Sequence, residues 1–321
     1  MSAKGKTPTL SACTEEYLEY LTIERQVSPF TIRNYKFYLL KFGTWLNKFY
    51  PDKDLTDVTS KMLKTYRVYL AQTKDSKGQY LAPVTQGYYV IALRSMLRYL
   101  LRQDYEVVSP ERLELPKGKE HSLKFLDYNH IEAMIEKADI SKIQGLRDRV
   151  LMETLFSTGL RVSELVSLNK TTINLESREF GVMGKGKKIR VVFLSDRAAK
   201  WIERYLRERD DHYHPVFIRH SGAKPEIDDP KAGEKLRLNV RTVQRIIGKY
   251  GRLAHLPYSI TPHVMRHSFA TDLISHGAGL REVQEMLGHK NIATTQIYTH
   301  VTNPQLKSVH EKYHSVGEGS V

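Results

Sequence analysis

The sequence predicts a mainly α-helical protein with one small β-hairpin, divided into two domains. Three observations carry this. Apolar residues recur at helical spacing through most of the 321 residues, as amphipathic helices require. Residues 177–194 instead alternate apolar and polar side chains around a GKGKK turn, the pattern of a hairpin. Between the two halves, SPERLELPKGKEHS at residues 109–122 holds two prolines, a glycine and many charges but no apolar period, so it reads as a domain boundary.

Before that boundary four helices are expected. The first runs from Ser11 and is marked by Leu18, Leu21 and Ile23, with Tyr17 and Tyr20 beside them. Ser28 and Pro29 cap the second, whose apolar face is Phe30, Tyr35, Tyr38, Leu39, Phe42 and Leu46. A third fits Ser60 to Gln72. A fourth fits Pro83 to Gln103, with Val90, Leu93, Leu97 and either Leu100 or Leu101 facing inward. Short connections make these a bundle. Arg33, Lys36, Lys41, Arg94 and Arg98 interleave with the aromatics. Either the tyrosines are simply core, or the basic side chains also meet phosphates, which fix position without reading sequence.

After the boundary a helix starts near Asp127, and GLRDRVLMETLFSTG forms another that stops at Gly159. Arg161 lies just beyond, with Ser163 placed to cap VSELVSL and Glu164 close by. Lys185, Lys187 and Lys188 share the hairpin turn. A helix covers Asp196 to Arg209, residues 220–238 read as a polar loop, and NVRTVQRIIGKYGRLA is a basic helix in which Arg241 is a candidate contact for a polyanion. Thr261 and Pro262 start a helix that puts His263 and Arg266 on one face and stops at Gly277. A short helix from Leu280 to Leu287 closes at Gly288, His289 follows, and Asn291 can cap a last segment bearing Tyr298.

Lysine and arginine number 50 against 36 acidic residues, a net charge of +14. The excess is present on both sides of residue 120, which suggests a polyanionic partner met by both halves; a merely solvated basic surface is the plainer reading. Cys13 is the only cysteine, so neither an internal disulfide nor a cysteine zinc site can form. No apolar run approaches the ~18 residues of a membrane span, and MSAKGKTPTL lacks a signal-peptide core. A cytoplasmic protein without a membrane partner is expected.

HxxR, then GH, then a tyrosine nine residues on resembles the catalytic region of the tyrosine recombinases, the phage-integrase family. LGHKNIATTQIYTHV is most similar to the Xer subgroup. TGLRVSEL supplies Arg161 and MGKGKKIRVVFL supplies Lys185 in the family's order, and the resemblance spans most of residues 10 to 315. It implies a two-domain clamp on DNA. Residues 1–112 would be a helical core-binding domain, 113–122 a linker, and 123–321 an α+β catalytic domain with an exchanged C-terminal helix. The catalytic set would be Arg161, Lys185, His263, Arg266, His289 and the nucleophile Tyr298. Lys185 is chosen because the family places its lysine between the two turn glycines. The polar 220–238 segment is longer than the compact Xer pattern.

The implied chemistry suits these residue types. A phenol with pKa about 10 must be deprotonated to attack a phosphodiester, and His263 is the candidate base. Arg161 and Arg266 can meet the growing phosphate charge with bidentate forks. Lys185 is the candidate acid for the leaving 5′-oxygen, and His289 would hold a phosphate oxygen. The product is a 3′-phosphotyrosyl bond and a free 5′-hydroxyl, so no ATP, metal or other cofactor is expected. A metal site on His263, His267 and His289 lacks HExxH and a carboxylate partner; His267 is a neighbour of the site instead.

The implied partners are double-stranded DNA with a specific recombination site and a homo-tetramer, or a hetero-tetramer with a second recombinase, with room for a regulatory protein. In the tail, Asn303 and Pro304 start a helix whose stripe Leu306, Val309 and Tyr313 would dock on a neighbouring protomer. Xer-type dimer resolution of chromosomes or plasmids is the first reading. An integrase of a mobile element, a type IB topoisomerase and a non-catalytic DNA-binding protein are the alternatives.

Overall fold

The structure, a computed structural model, describes residues 9–115, 124–184, 189–223 and 231–288. The chain forms two compact units, Met1–His121 and Ser122–Val321.

In the first unit four helices carry the core: α1 (Leu10–Ile23), α2 (Pro29–Phe49), α3 (Ser60–Gln72) and α4 (Pro83–Arg102). Their starts are chemical. The Thr9, Ser28 and Thr59 hydroxyls accept from the amides of Ala12, Thr31 and Met62, satisfying donors that a helix end leaves open. The core is aromatic: Trp45 lies 5.6 Å from Phe42 and 5.0 Å from Tyr66 between ring centroids. Tyr20 stacks on Tyr99 at 4.5 Å, and the Tyr99 and Tyr105 hydroxyls both donate to Glu16. Cys13 is buried against this core.

Two expected inward residues differ. Phe30 is 70% exposed and Ile23 is also outside, while Trp45, three residues after Phe42, takes the inner position. Leu100, not Leu101, is buried. Part of the 109–122 stretch belongs to this unit: a single turn at Pro110–Arg112 precedes Leu113, which is fully buried in its core.

In the second unit the order is α5 (Tyr128–Ile135), α6 (Ile143–Thr158), α7 (Val162–Val166), β1 (Glu179–Met183), β2 (Ile189–Phe193), α8 (Asp196–Glu208), α9 (Ala232–Leu236), α10 (Val240–Leu253), α11 (Pro262–Ser275) and α12 (Leu280–Leu287). Helix α6 is buried almost all round and packs against α8 and α11, which makes it the centre of the unit. Strands β1 and β2 pair antiparallel with Phe180 opposite Val192 and Val182 opposite Arg190. The inner face thus carries Phe180, Val182, Val192 and Arg190. The outer face leaves Met183, Ile189, Val191 and Phe193 exposed.

Two local expectations change. Ser163 does not cap α7: Arg161 is the N-cap residue, and Ser163 sits inside the first turn. The 220–238 segment is not wholly loop, because α9 lies within it with Ala232 and Leu236 buried. Arg219 N–H donates to the Leu236 carbonyl and Leu238 N–H to that of Phe217, ties that composition alone does not show. Among the described residues no helix is long and apolar enough to cross a membrane.

Candidate active site

Helix α6 ends at Gly159 in the left-handed region (φ +59), and a Cβ there would collide with the Phe269 ring, so glycine is required twice over. The turn carries Leu160 into the core and delivers Arg161 at the head of α7. Glu164, one turn on, accepts the Arg161 backbone N–H at 2.8 Å and its Nη1 at 2.9 Å. Arg161 Nη2 reaches the Gly288 carbonyl at 3.4 Å.

Arg266 arrives from the other side. Thr261 Oγ1 accepts from Val264 N–H, Pro262 occupies the first helical position, and α11 then carries His263 and Arg266 one turn apart. Arg266 is 5% exposed, and its Nη1 and Nη2 donate at 2.6 Å to the carbonyls of Gly159 and Leu287. Those oxygens are the ends of α6 and α12, where outward carbonyls favour cations. The two guanidiniums therefore meet at one junction, both touching the end of α12. His263 is exposed on the first turn of α11. Burial first, then the neighbouring His263 and Arg266, lower the pKa of His267.

Glu164 is pressed in both directions. Burial pushes its carboxyl up, but hydrogen bonds from Arg190, from the Arg161 amide and from the Arg161 guanidinium, with the charge of Arg190, hold it down at about 2. Composition and spacing alone do not single out Arg190. Its signal is a charged residue in step with Val192, on the side of the strand that packs inward.

Lys185, His289 and Tyr298 lie outside the described residues, as does the tail from residue 303. Of the expected DNA contacts, Arg33 lies over the Phe30 ring and Lys41 over Tyr69, and Lys36 lines a cavity beside α1. Arg94 and Arg98 both pair with Glu111. Arg241 lines an open cleft of about 1060 Å³ with Arg245, Arg252 and Thr261.

Residues 124–304 match the Phage integrase family, and residues 14–104 match the Phage integrase, N-terminal SAM-like domain. The chain belongs to the phage integrase family. It is 35% identical over 303 residues to the tyrosine recombinase XerD of Lacticaseibacillus casei, covering 94% of this chain and 98% of that protein. It is 34% identical to the XerD of Pasteurella multocida, covering 96% and 99%. Among solved structures, XerH bound to a palindromic difH substrate after cleavage superimposes with a TM-score of 0.69 at 22% identity, over 96% of this chain and 85% of that one. As a phage-integrase-family tyrosine recombinase, the protein is a site-specific DNA strand-exchange enzyme.

Proposed function

We propose that this recombinase cleaves one DNA strand through Tyr298, holds it as a 3′-phosphotyrosyl ester and passes it to a second duplex, in Xer-type resolution of chromosome or plasmid dimers in the cytoplasm. The observation that carries the reading is the meeting of Arg161 and Arg266 at the end of α12, one residue before His289. Guanidiniums already oriented, Arg266 by two carbonyls and Arg161 by the Glu164 carboxylate and the Gly288 carbonyl, meet the charge of a pentacoordinate phosphate with little reorganisation. His263, one turn before Arg266, takes the phenol proton. Lys185 protonates the leaving 5′-oxygen, and His289 holds a non-bridging oxygen. The tyrosine–phosphate ester replaces the phosphodiester, so the step reverses onto another 5′-hydroxyl without ATP or metal.

Residues 1–112 and 123–321 act as the two jaws on the duplex, joined by 113–122. Arg33, Lys36, Lys41, Arg94, Arg98 and Arg241 are their proposed phosphate contacts. Four protomers, alone or with a second recombinase, form the synapse, each lending its tail to a neighbour. The relatives' XerD name favours dimer resolution over integration of a mobile element.

The test is covalent capture. The protein is incubated with a nicked random duplex library in EDTA, and DNA that stays attached in SDS is sequenced. Tyr298→Phe is expected to abolish capture and leave duplex binding within about threefold, since one oxygen is removed. Capture by that variant moves the nucleophile elsewhere, and a requirement for Mg²⁺ in cleavage defeats the metal-free reading.

A further inference from the structure

Among the described inner-face residues of the hairpin, Arg190 alone is charged. Its side chain leaves β2 opposite Val182 and grips Glu164 with a fork, Nη1 to Oε1 at 2.9 Å and Nη2 to Oε2 at 2.7 Å. Its Nε donates to the Met286 carbonyl at 3.1 Å. The side chain also lies over Gly288: a Cβ there would come within 2.9 Å of Arg190 Cδ, and the φ of +64 independently selects glycine. One guanidinium therefore ties three segments together. They are the hairpin, the Arg161–Glu164 turn, and the end of α12 that Arg266 and Arg161 both touch.

We propose that Arg190 is a positioning residue of the strand-exchange reaction: by fixing Glu164 it sets the plane of Arg161, and by bonding Met286 it seats the end of α12 against the hairpin. The inference rests on the reading of Arg161 as a phosphate clamp. Glu164 is buried with two cations, so removing Arg190 leaves a carboxylate with half its charge partners and a less fixed Arg161. Lysine keeps the charge but cannot supply the fork and the third hydrogen bond together. Without Arg190, burial drives the Glu164 carboxyl upward, and acid then protonates the group that orients Arg161.

The experiment uses the full chain and a nicked duplex carrying the sequence recovered in the capture selection. Arg190→Gln, Arg190→Lys, Arg161→Ala and the double variant Glu164→Gln/Arg190→Gln are compared. Readouts are the covalent attachment rate at saturating protein from about pH 5 to about pH 8, the duplex Kd and the melting transition. Arg190→Gln is expected to attach about 10–100-fold more slowly, by analogy with the loss of an outer-sphere orienting group, with Kd changed less than about threefold. Its rate should also fall more steeply towards acid than that of the parent and the double variant, beyond the loss that protonation of the His263 base gives to all three. Arg190→Lys should recover part of the rate.

Parental rate and pH profile in both single Arg190 variants, with Arg161→Ala inactive, overturn this inference alone. Full cleavage by Arg161→Ala overturns the reading of the site and this inference with it. A rate loss matched by an equal loss of affinity, with the acid side of the profile no steeper than the parent's, shows a structural role only and also overturns it. If Arg190→Gln does not melt cooperatively, the lysine variant decides by the same rate and pH readings.

Discussion

The first unit packs Tyr17, Phe42, Trp45 and Tyr66 into its interior and, among the described residues, buries no charged side chain, whereas the second buries Arg147, Asp148, Glu153, Glu164, Arg209 and Arg266. An aromatic core gains stability from area and shape and sets few directions. A buried guanidinium is different, because each donor needs an acceptor at a set angle, and the acceptors then fix where the cation faces. Arg147 shows the rule away from the site: it bonds Asp148 and the Ile218 carbonyl, and Asp148 also accepts from the Tyr250 hydroxyl. The unit that carries the reaction is thus the one whose interior specifies orientation.

If the contrast is right, the two units fail in different ways. Trp45→Ala should cost about 3–5 kcal/mol of stability in chemical denaturation while leaving the cleavage rate of the folded protein within about threefold. Arg161→Ala and Arg266→Ala should do the reverse, each slowing cleavage by about 100- to 1000-fold with a much smaller change in duplex Kd. A variant of either arginine that cleaves at the parental rate would remove it from the phosphate clamp. Gly159→Ala should cost about 1–3 kcal/mol and also slow cleavage, because the strained residue supplies a carbonyl to Arg266. Equilibrium unfolding and cleavage on one preparation separate the two effects.

The smallest effect is one of pH. His220, hydrogen-bonded to the Tyr205 hydroxyl at 2.8 Å, is lowered to about 4 by burial, with Arg147 and Arg209 adding to it and Asp211 opposing. As pH falls through about 6.5 the unfolded chain takes up this proton and the native state does not until about 4, so stability declines across that window. His220→Asn should flatten that part of the slope in urea titrations at stepped pH. An unchanged slope would show that the charged interior does not hold this histidine neutral.

What could be read in advance follows from the range of the forces. Ser28–Pro29, Thr261–Pro262, Gly159 and Gly288 mark helix ends correctly because capping is settled within four residues. The positions of Arg161 just past α6 and of His263 and Arg266 at the start of α11 were legible for the same reason. Arg190 was not, because its meaning depends on which hairpin face turns inward, and its three outward neighbours Ile189, Val191 and Phe193 look like core residues in a linear string. Helix α9 was hidden by polar composition, since its place is set by ties to Phe217 and Arg219. Phe30 lies outside despite its spacing because an aromatic in step with the apolar face can still lie one turn past the edge of the core.

Cys13 has a practical consequence. It is the only cysteine in 321 residues, 1% exposed, and its thiol is pushed up to about 11 by burial, with Glu16 and Asp54 adding to it. At neutral pH on the order of one such thiol in ten thousand is ionised, and that one is shielded from reagents. A cysteine engineered onto either unit would therefore be the single reactive handle in the molecule. The wild-type chain is already a background for fluorophore, spin-label or cross-linking measurements of how the two units move on a duplex.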